Sequence, residues 1–169
     1  GALAPPSMNA PAQRKGVSDA RLSALQPTLD VFANYPKTRV ITRAGTGKAV
    51  CAGRDLRQMT ARRQAPDGGA AAFKDRFDRC TALMTRIQSL PQPVIAQVHG
   101  YAMAGGLELV GACDLAYASE GAKLSHPVTR FALPDFDWFP THLSPRHAME
   151  LQVAGRVFSG TEAAQIGLS

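Results

Sequence analysis

The stretch "PVIAQVHGYAMAGGLELVGACDLAYAS", Pro93–Ser119, decides the fold. It opens on "PVIAQVHG", an apolar run rich in β-branched residues and of the length of one buried strand. It passes through "AGGLELVGAC", a short helix that opens on glycines, and closes on "DLAYAS", a second strand. Strands alternating with helices argue for an α/β domain with right-handed crossovers. One residue is not explained by packing alone: Glu108 sits among Leu107, Leu109 and Val110, directly behind Gly105 and Gly106.

Working outward, "VSDARLSALQPTLDVFANYP" (Val17–Pro36) carries Leu22, Leu25, Leu29 and Phe32 at spacings of three and four, an amphipathic helix with Ser18 as its N-cap and Pro36 as its stop. "TRVIT" (Thr38–Thr42) predicts a strand. "APDGGAAA" (Ala65–Ala72) lacks periodicity and reads as a mobile surface loop. "FKDRFDRCTALMTRIQSLP" predicts a helix with Phe73, Phe77, Cys80, Leu83, Met84 and Ile87 on one stripe, ended by Pro91. Further on, "RHAMELQVAG" is helical, and "SGTEAAQIGL" reads as a capped helix start at Thr161 and Glu162.

A chain of 169 residues, 45% hydrophobic, is long enough for one core, and its aliphatic runs are too short and interrupted for a helix to span a bilayer. Cys51, Cys80 and Cys113 are odd in number, without CxxC spacing or a nearby histidine cluster. Neither a disulfide framework nor a zinc site is indicated, and reduced thiols in the cytoplasm are the plain expectation. The net charge of +6 comes partly from "RDLRQMTARRQ" (Arg54–Gln64), which reads as a solvated face or as a partner for a phosphate-bearing ligand. Nucleic acid is disfavoured, because basic and aromatic residues do not interleave. "GALAPPSM" has no secretory pattern. Residues 1–8 are expected to be an N-terminal extension or vector remnant, and 9–169 the core domain.

The chemistry concentrates at two backbone sites. In "KAVCAGRDL" (Lys48–Leu56) an apolar strand end runs into Ala52-Gly53, small residues that leave main-chain N–H groups accessible. Gly105 and Gly106 do the same at a helix start, where the first N–H groups lack intrahelical acceptors. Close packing explains either pair alone. If the two turns converge, they form an oxyanion hole, in which one donor is worth about 3 kcal/mol to a transition state. Glu108 near a helix N-terminus has an ordinary dipole role. Its apolar flanks would also desolvate it and raise its pKa toward the range of a general acid or base.

These segments resemble the crotonase (enoyl-CoA hydratase/isomerase) superfamily. "GKAVCAGRDL" is similar to its first oxyanion segment and "LPQPVIAQVHGYAMAGGLELVGACDLAYAS" to its second; "NAPAQRKGVSDARLSAL" and "RHAMELQVAGRVFSGTEAAQIGL" extend the likeness over nearly the whole chain. The resemblance implies an α/β crotonase-like ββα spiral core, here lacking most of the usual C-terminal helical region. It implies that the Ala52 and Gly105 N–H groups polarise a thioester carbonyl and that Glu108 is the acid/base. Ala49, Ala52, Asp55, Leu56, Gly105 and Gly106 would bind the acyl-CoA. Coenzyme A would enter as part of the substrate, with no separate cofactor and no metal. Fatty acid metabolism and a homo-oligomer, trimer or hexamer, are implied by the same likeness.

Three departures qualify it. The family's second glutamate, in a proline-glutamate pair, corresponds to Val128 in "HPVTRF", and a valine cannot move a proton; His126, Asp135 and Asp137 are the nearby substitutes. The chain ends where the family continues. The expected first strand is replaced by "GALAPPSM", whose prolines would spoil ladder hydrogen bonds except at an edge. The expected function is therefore an acyl-CoA-processing enzyme, better suited to isomerisation or elimination than to hydration. The alternative is a catalytically weak acyl-CoA-binding or assembly protein.

Overall fold

The computed structural model describes residues 2–4, 7–8, 17–45, 48–53, 56–127 and 142–169. Its core is a spiral in which each turn lays one strand in each of two sheets and then forms helix. β3 (Thr38–Gly45), β5 (Val94–Val98) and β7 (Leu115–Ala118) run parallel in the first sheet. β4 (Ala49–Cys51), β6 (Tyr101–Met103) and β8 (Lys123–Ser125) run parallel in the second, which β9 (Val157–Ser159) completes antiparallel to β8. Only a short connection separates β5 from β6 and β7 from β8, so each of these crossings between sheets is followed at once by the next strand. The α/β crotonase-like spiral expected from the sequence is the fold observed.

Two further strands, β1 (Ala2–Ala4) and β2 (Ser7–Met8), lie parallel to β3, at the edge of the first sheet opposite β7. They flank Pro5 and Pro6, so ladder hydrogen bonding is retained at an edge, where proline is tolerated. At the other edge, β7 exposes Leu115 and Tyr117.

The helices follow the apolar stripes with informative differences. α1 (Asp19–Asn34) buries Leu22, Leu25 and Leu29; Ser18 stands at its N-cap position without a side-chain cap bond. α2 spans Leu56–Arg62 and buries Met59. α3 (Ala70–Gln88) starts earlier than its stripe implies, inside the stretch that reads as a loop. The Asp67 carboxylate accepts from the Gly69 and Ala71 N–H groups at 2.8 and 3.0 Å, which satisfies first-turn donors and holds that carboxyl below its ordinary range. α4 is Gly105–Gly111, and α5 (Pro145–Ala154) is capped by the Ser144 hydroxyl and by Gly155 in the left-handed region. The start of α6 (Gly160–Gln165) is capped by Ser159, whose hydroxyl accepts from the Glu162 N–H at 3.1 Å, and not by Thr161.

α3 buries Cys80, Leu83, Met84 and Ile87 as its stripe predicts, but the buried position one turn earlier is Arg76, fully inaccessible, while Phe73 and Phe77 are half-buried. Its guanidinium donates to Asp19 Oδ1 at 2.7 Å, to Gln58 Oε1 at 3.2 Å and to the Val17 carbonyl. Arg62, from the basic run, pairs with the second Asp19 oxygen, and Arg79 donates to the Asp19 carbonyl at 3.1 Å. Asp19 thus ties α1, α2 and α3 together, and part of the run that reads as a solvated face is structural. The Val17 N–H in turn donates to the Gly53 carbonyl at 2.7 Å, linking this cluster to the end of β4.

Cys51, Cys80 and Cys113 are unbridged and buried. Among the described residues, no helix is long and apolar enough to cross a membrane, and no group of three or more His, Cys, Asp or Glu side chains could hold a metal ion. Burial pushes the Cys51 thiol up, and the Cys113 thiol to about 12. In the native protein at pH 8 none of the three is expected to react with an aromatic disulfide reagent, and all three should react in denaturant; the released chromophore counts them. Arg76→Met is expected to lower stability by about 2–4 kcal/mol, since it removes one of the two cations on Asp19 and leaves the Val17 carbonyl without its guanidinium donor. Chemical denaturation of the two proteins measures the difference.

Candidate active site

The site forms where β4 leaves the second sheet and α4 begins. Gly106 stands so close to β4 that a Cβ there would lie 2.3 Å from the Cys51 carbonyl oxygen, and one on Gly53 would lie 2.9 Å from the Met103 carbonyl oxygen. The two pairs of small residues singled out in the sequence therefore face each other across a backbone-to-backbone contact. Gly53 also has φ +92°, a conformation that disfavours any side chain.

Between the two strands sits Ala104, at φ 47° and ψ −121°, the one non-glycine residue of positive φ among the described residues. Its N–H donates to the Ser125 carbonyl at 2.9 Å, and its own carbonyl accepts from Leu107 and Glu108 at 2.7 and 3.0 Å. The chain reverses sharply there and enters α4 with its first N–H groups pointed out of the helix. Among the described residues, no backbone carbonyl accepts from the Ala52 or the Gly105 N–H. Ala52 is half-buried and Gly105 buried.

Glu108 lies in the first turn of α4 and is 3% exposed. Its charge is one of the influences that raise the nearby Cys51 thiol. His126, immediately after β8, is 1% exposed, and its Nε2 is 3.5 Å from Glu108 Oε1. The sequence alone ranks His126 level with Asp135 and Asp137 as a substitute for the missing second carboxylate; its place at the end of β8 brings it to Glu108. The signal is present in the "SHP" that ends the strand, but only the sheet register shows which way the strand delivers it.

Of the other candidates, Ala49 is buried in β4, Gly106 is buried in the contact with Cys51, and Leu56 is exposed at the start of α2. Asp55, Val128, Asp135 and Asp137 lie outside the described residues. An open groove of about 710 Å³ between α1 and α3 is lined by residues such as Asp30, Asp78 and Arg86, and Glu108 is not among them. Gly106→Ala is expected to cost about 1–3 kcal/mol or more, because the obstacle is main chain that cannot rotate away. Thermal unfolding of the variant checks this.

The model of the enoyl-CoA hydratase/isomerase family matches residues 2–169. A probable enoyl-CoA hydratase of Bacillus subtilis is 35% identical over 156 residues, covering 90% of this chain and 58% of that protein. A peroxisomal Delta(3,5)-Delta(2,4)-dienoyl-CoA isomerase of Arabidopsis thaliana is 32% identical over 169 residues, covering 88% of this chain and 60% of that protein. The crystal structure of an enoyl-CoA hydratase of Mycobacterium smegmatis superposes with a TM-score of 0.85 at 35% identity, over 96% of this chain and 62% of that one. The chain thus spans about three-fifths of the length of these relatives. With a family model matched along almost all of it, and the spiral and facing glycine turns in place, the chain belongs to the enoyl-CoA hydratase/isomerase family of the crotonase superfamily.

Proposed function

We propose that the protein processes acyl-CoA thioesters by way of an enolate held in an oxyanion hole. The Ala52 and Gly105 N–H groups grip the thioester oxygen, and Glu108 moves a proton at the neighbouring carbon. The observation that carries this reading is the close approach of Cys51–Gly53 to Met103–Gly106, with a buried carboxylate one helical turn away.

Enolate formation needs these two things together. When a base removes the proton on the carbon beside the thioester carbonyl, the electron pair moves onto the carbonyl oxygen. Fixed donors aimed at that oxygen stabilise the charge as it develops, at no cost of reorientation. Returning the proton to a different carbon isomerises the acyl chain with one carboxylate. Addition of water uses a second group to hold the water, and the family's position for it is Val128 here. Isomerisation is therefore the favoured outcome and standard hydration of crotonyl-CoA is weak.

Coenzyme A enters with the substrate, its path lined by Ala49, Asp55, Leu56 and Gly106, and the exposed arginines of the basic run are suited to its phosphates. A homotrimer or a hexamer is the assembly carried over from the family, and the unbridged thiols favour a reducing compartment, the cytoplasm among them. In D2O, 3-hexenoyl-CoA is expected to take up deuterium and shift its double bond, as mass spectrometry would show. Glu108→Gln should slow both by about 10²–10⁴-fold, the span of a general acid–base group. A variant as fast as the parent would overturn Glu108 as the acid/base, and a parent that exchanges nothing would leave only the acyl-CoA-binding reading.

A further inference from the structure

The placement of His126 against Glu108 is set by two ties that do not involve either side chain. The Ser125 carbonyl accepts from the N–H of Ala104, the residue that starts the helix carrying Glu108, and the Ser125 hydroxyl donates to the Gly155 carbonyl at 3.3 Å. Met103 and Ser125 are partners in the β6–β8 ladder. The residue before the histidine is thus fixed to the residue that begins α4 and to the loop ahead of β9. The imidazole and the carboxylate meet with Nε2 3.5 Å from Oε1, their side chains 1% and 2% exposed.

A carboxylate so enclosed takes up a proton unless a cation or donor holds it ionised, because desolvation penalises the charged form. A protonated Glu108 is an acid and no base. An imidazolium within 4 Å reverses that balance, and the carboxylate does the same for the imidazole. We propose, resting on the reading of Glu108 as the acid/base, that His126 is its positioning residue. The pair is an imidazolium–carboxylate at neutral pH, and the ring's charge, 3.5 Å from Oε1, keeps the carboxylate ionised and able to act as the base. The carbon-borne proton goes to the carboxylate and returns from it, so His126 keeps its own proton throughout the cycle.

Other ionisable groups share this neighbourhood, as their common influence on Cys51 shows. Cys51 on β4 is a thiol kept neutral by burial. Arg43 on β3 and Arg21 on α1 act on Cys51, and Arg43, itself buried, is held below its ordinary range by desolvation.

The test reads the imidazole directly. NMR titration of the intact protein, with the His126 signal assigned by its loss in His126→Gln, should place its midpoint above the roughly 6.5 of a free histidine. Glu108→Gln should lower that midpoint by about 1 pH unit or more, the usual effect of removing an adjacent opposite charge. A midpoint below the free value in the parent, or one that Glu108→Gln leaves in place, overturns the pairing whatever the activity. In a second arm, deuterium uptake by 3-hexenoyl-CoA is followed against pH. His126→Leu should shift the rising limb to higher pH, since Glu108 then ionises later, and His126→Gln, which keeps an N–H, should recover part of the loss. An unshifted limb in His126→Leu also overturns the proposal. A parent that exchanges nothing refutes the thioester reading, while the NMR arm still decides the pair.

Discussion

The contact between the Cys51 carbonyl and the α-carbon of Gly106 is the constraint on which the site depends. Main chain meets main chain with no room for a methyl group, so the spacing between β4 and α4 is fixed by atoms that have no alternative rotamer. The rest of the fold braces that approach from both sides. On one side Arg76 and Asp19 gather α1, α2 and α3 and reach the Gly53 carbonyl through Val17. On the other, β8 holds Ala104 through the Ser125 carbonyl. The order of the spiral explains the convergence: β4 and β6 are equivalent strands of successive turns, so the chain leaves both of them at the same end of the second sheet.

Much of this was legible in the sequence, for physical reasons that differ by element. α1 and α3 declared themselves because a long helix must bury a stripe of regular period. β5 did so because it is a short β-branched run bounded by Pro93 and Gly100, though only one of its faces is fully covered and Gln97 is exposed. The strands of the second sheet, three residues each, are too short to carry a period: β4 shows only as an apolar strand end, and β6 and β8 leave no separate signal. Arg76 escaped because a stripe read by hydropathy has no place for a guanidinium whose partners lie on two other helices. α3 began early because one aspartate supplied the acceptors its first turn lacked, a local hydrogen bond that composition reads as loop.

The site divides along the same line. The pairs of small residues could be read because close backbone approach leaves a mark in residue size, and Glu108 because a charge among leucines is conspicuous. His126 could be named but not chosen, since its relation to Glu108 is a matter of register between β6 and β8, a long-range property. Buried ionisable groups make this small core costly to assemble. Arg76, Arg43, Glu108 and His126 are each less than a tenth exposed, and each gives up hydration that only its neighbours restore.

Ala104 shows strain and order exchanged within one residue. An alanine at positive φ with this ψ costs on the order of 1–3 kcal/mol relative to a relaxed backbone, and a glycine there would release it. Yet glycine at 104 would make three in succession with Gly105 and Gly106, and such a hinge has many conformations to lose on folding. The methyl group removes most of that freedom in advance and fills the space over Gly53, where a Cβ would come within 3.3 Å of it. The turn is thereby stiff where its sequence looks loose: energy stored in one dihedral angle is traded for certainty in the direction of the peptide groups beyond it.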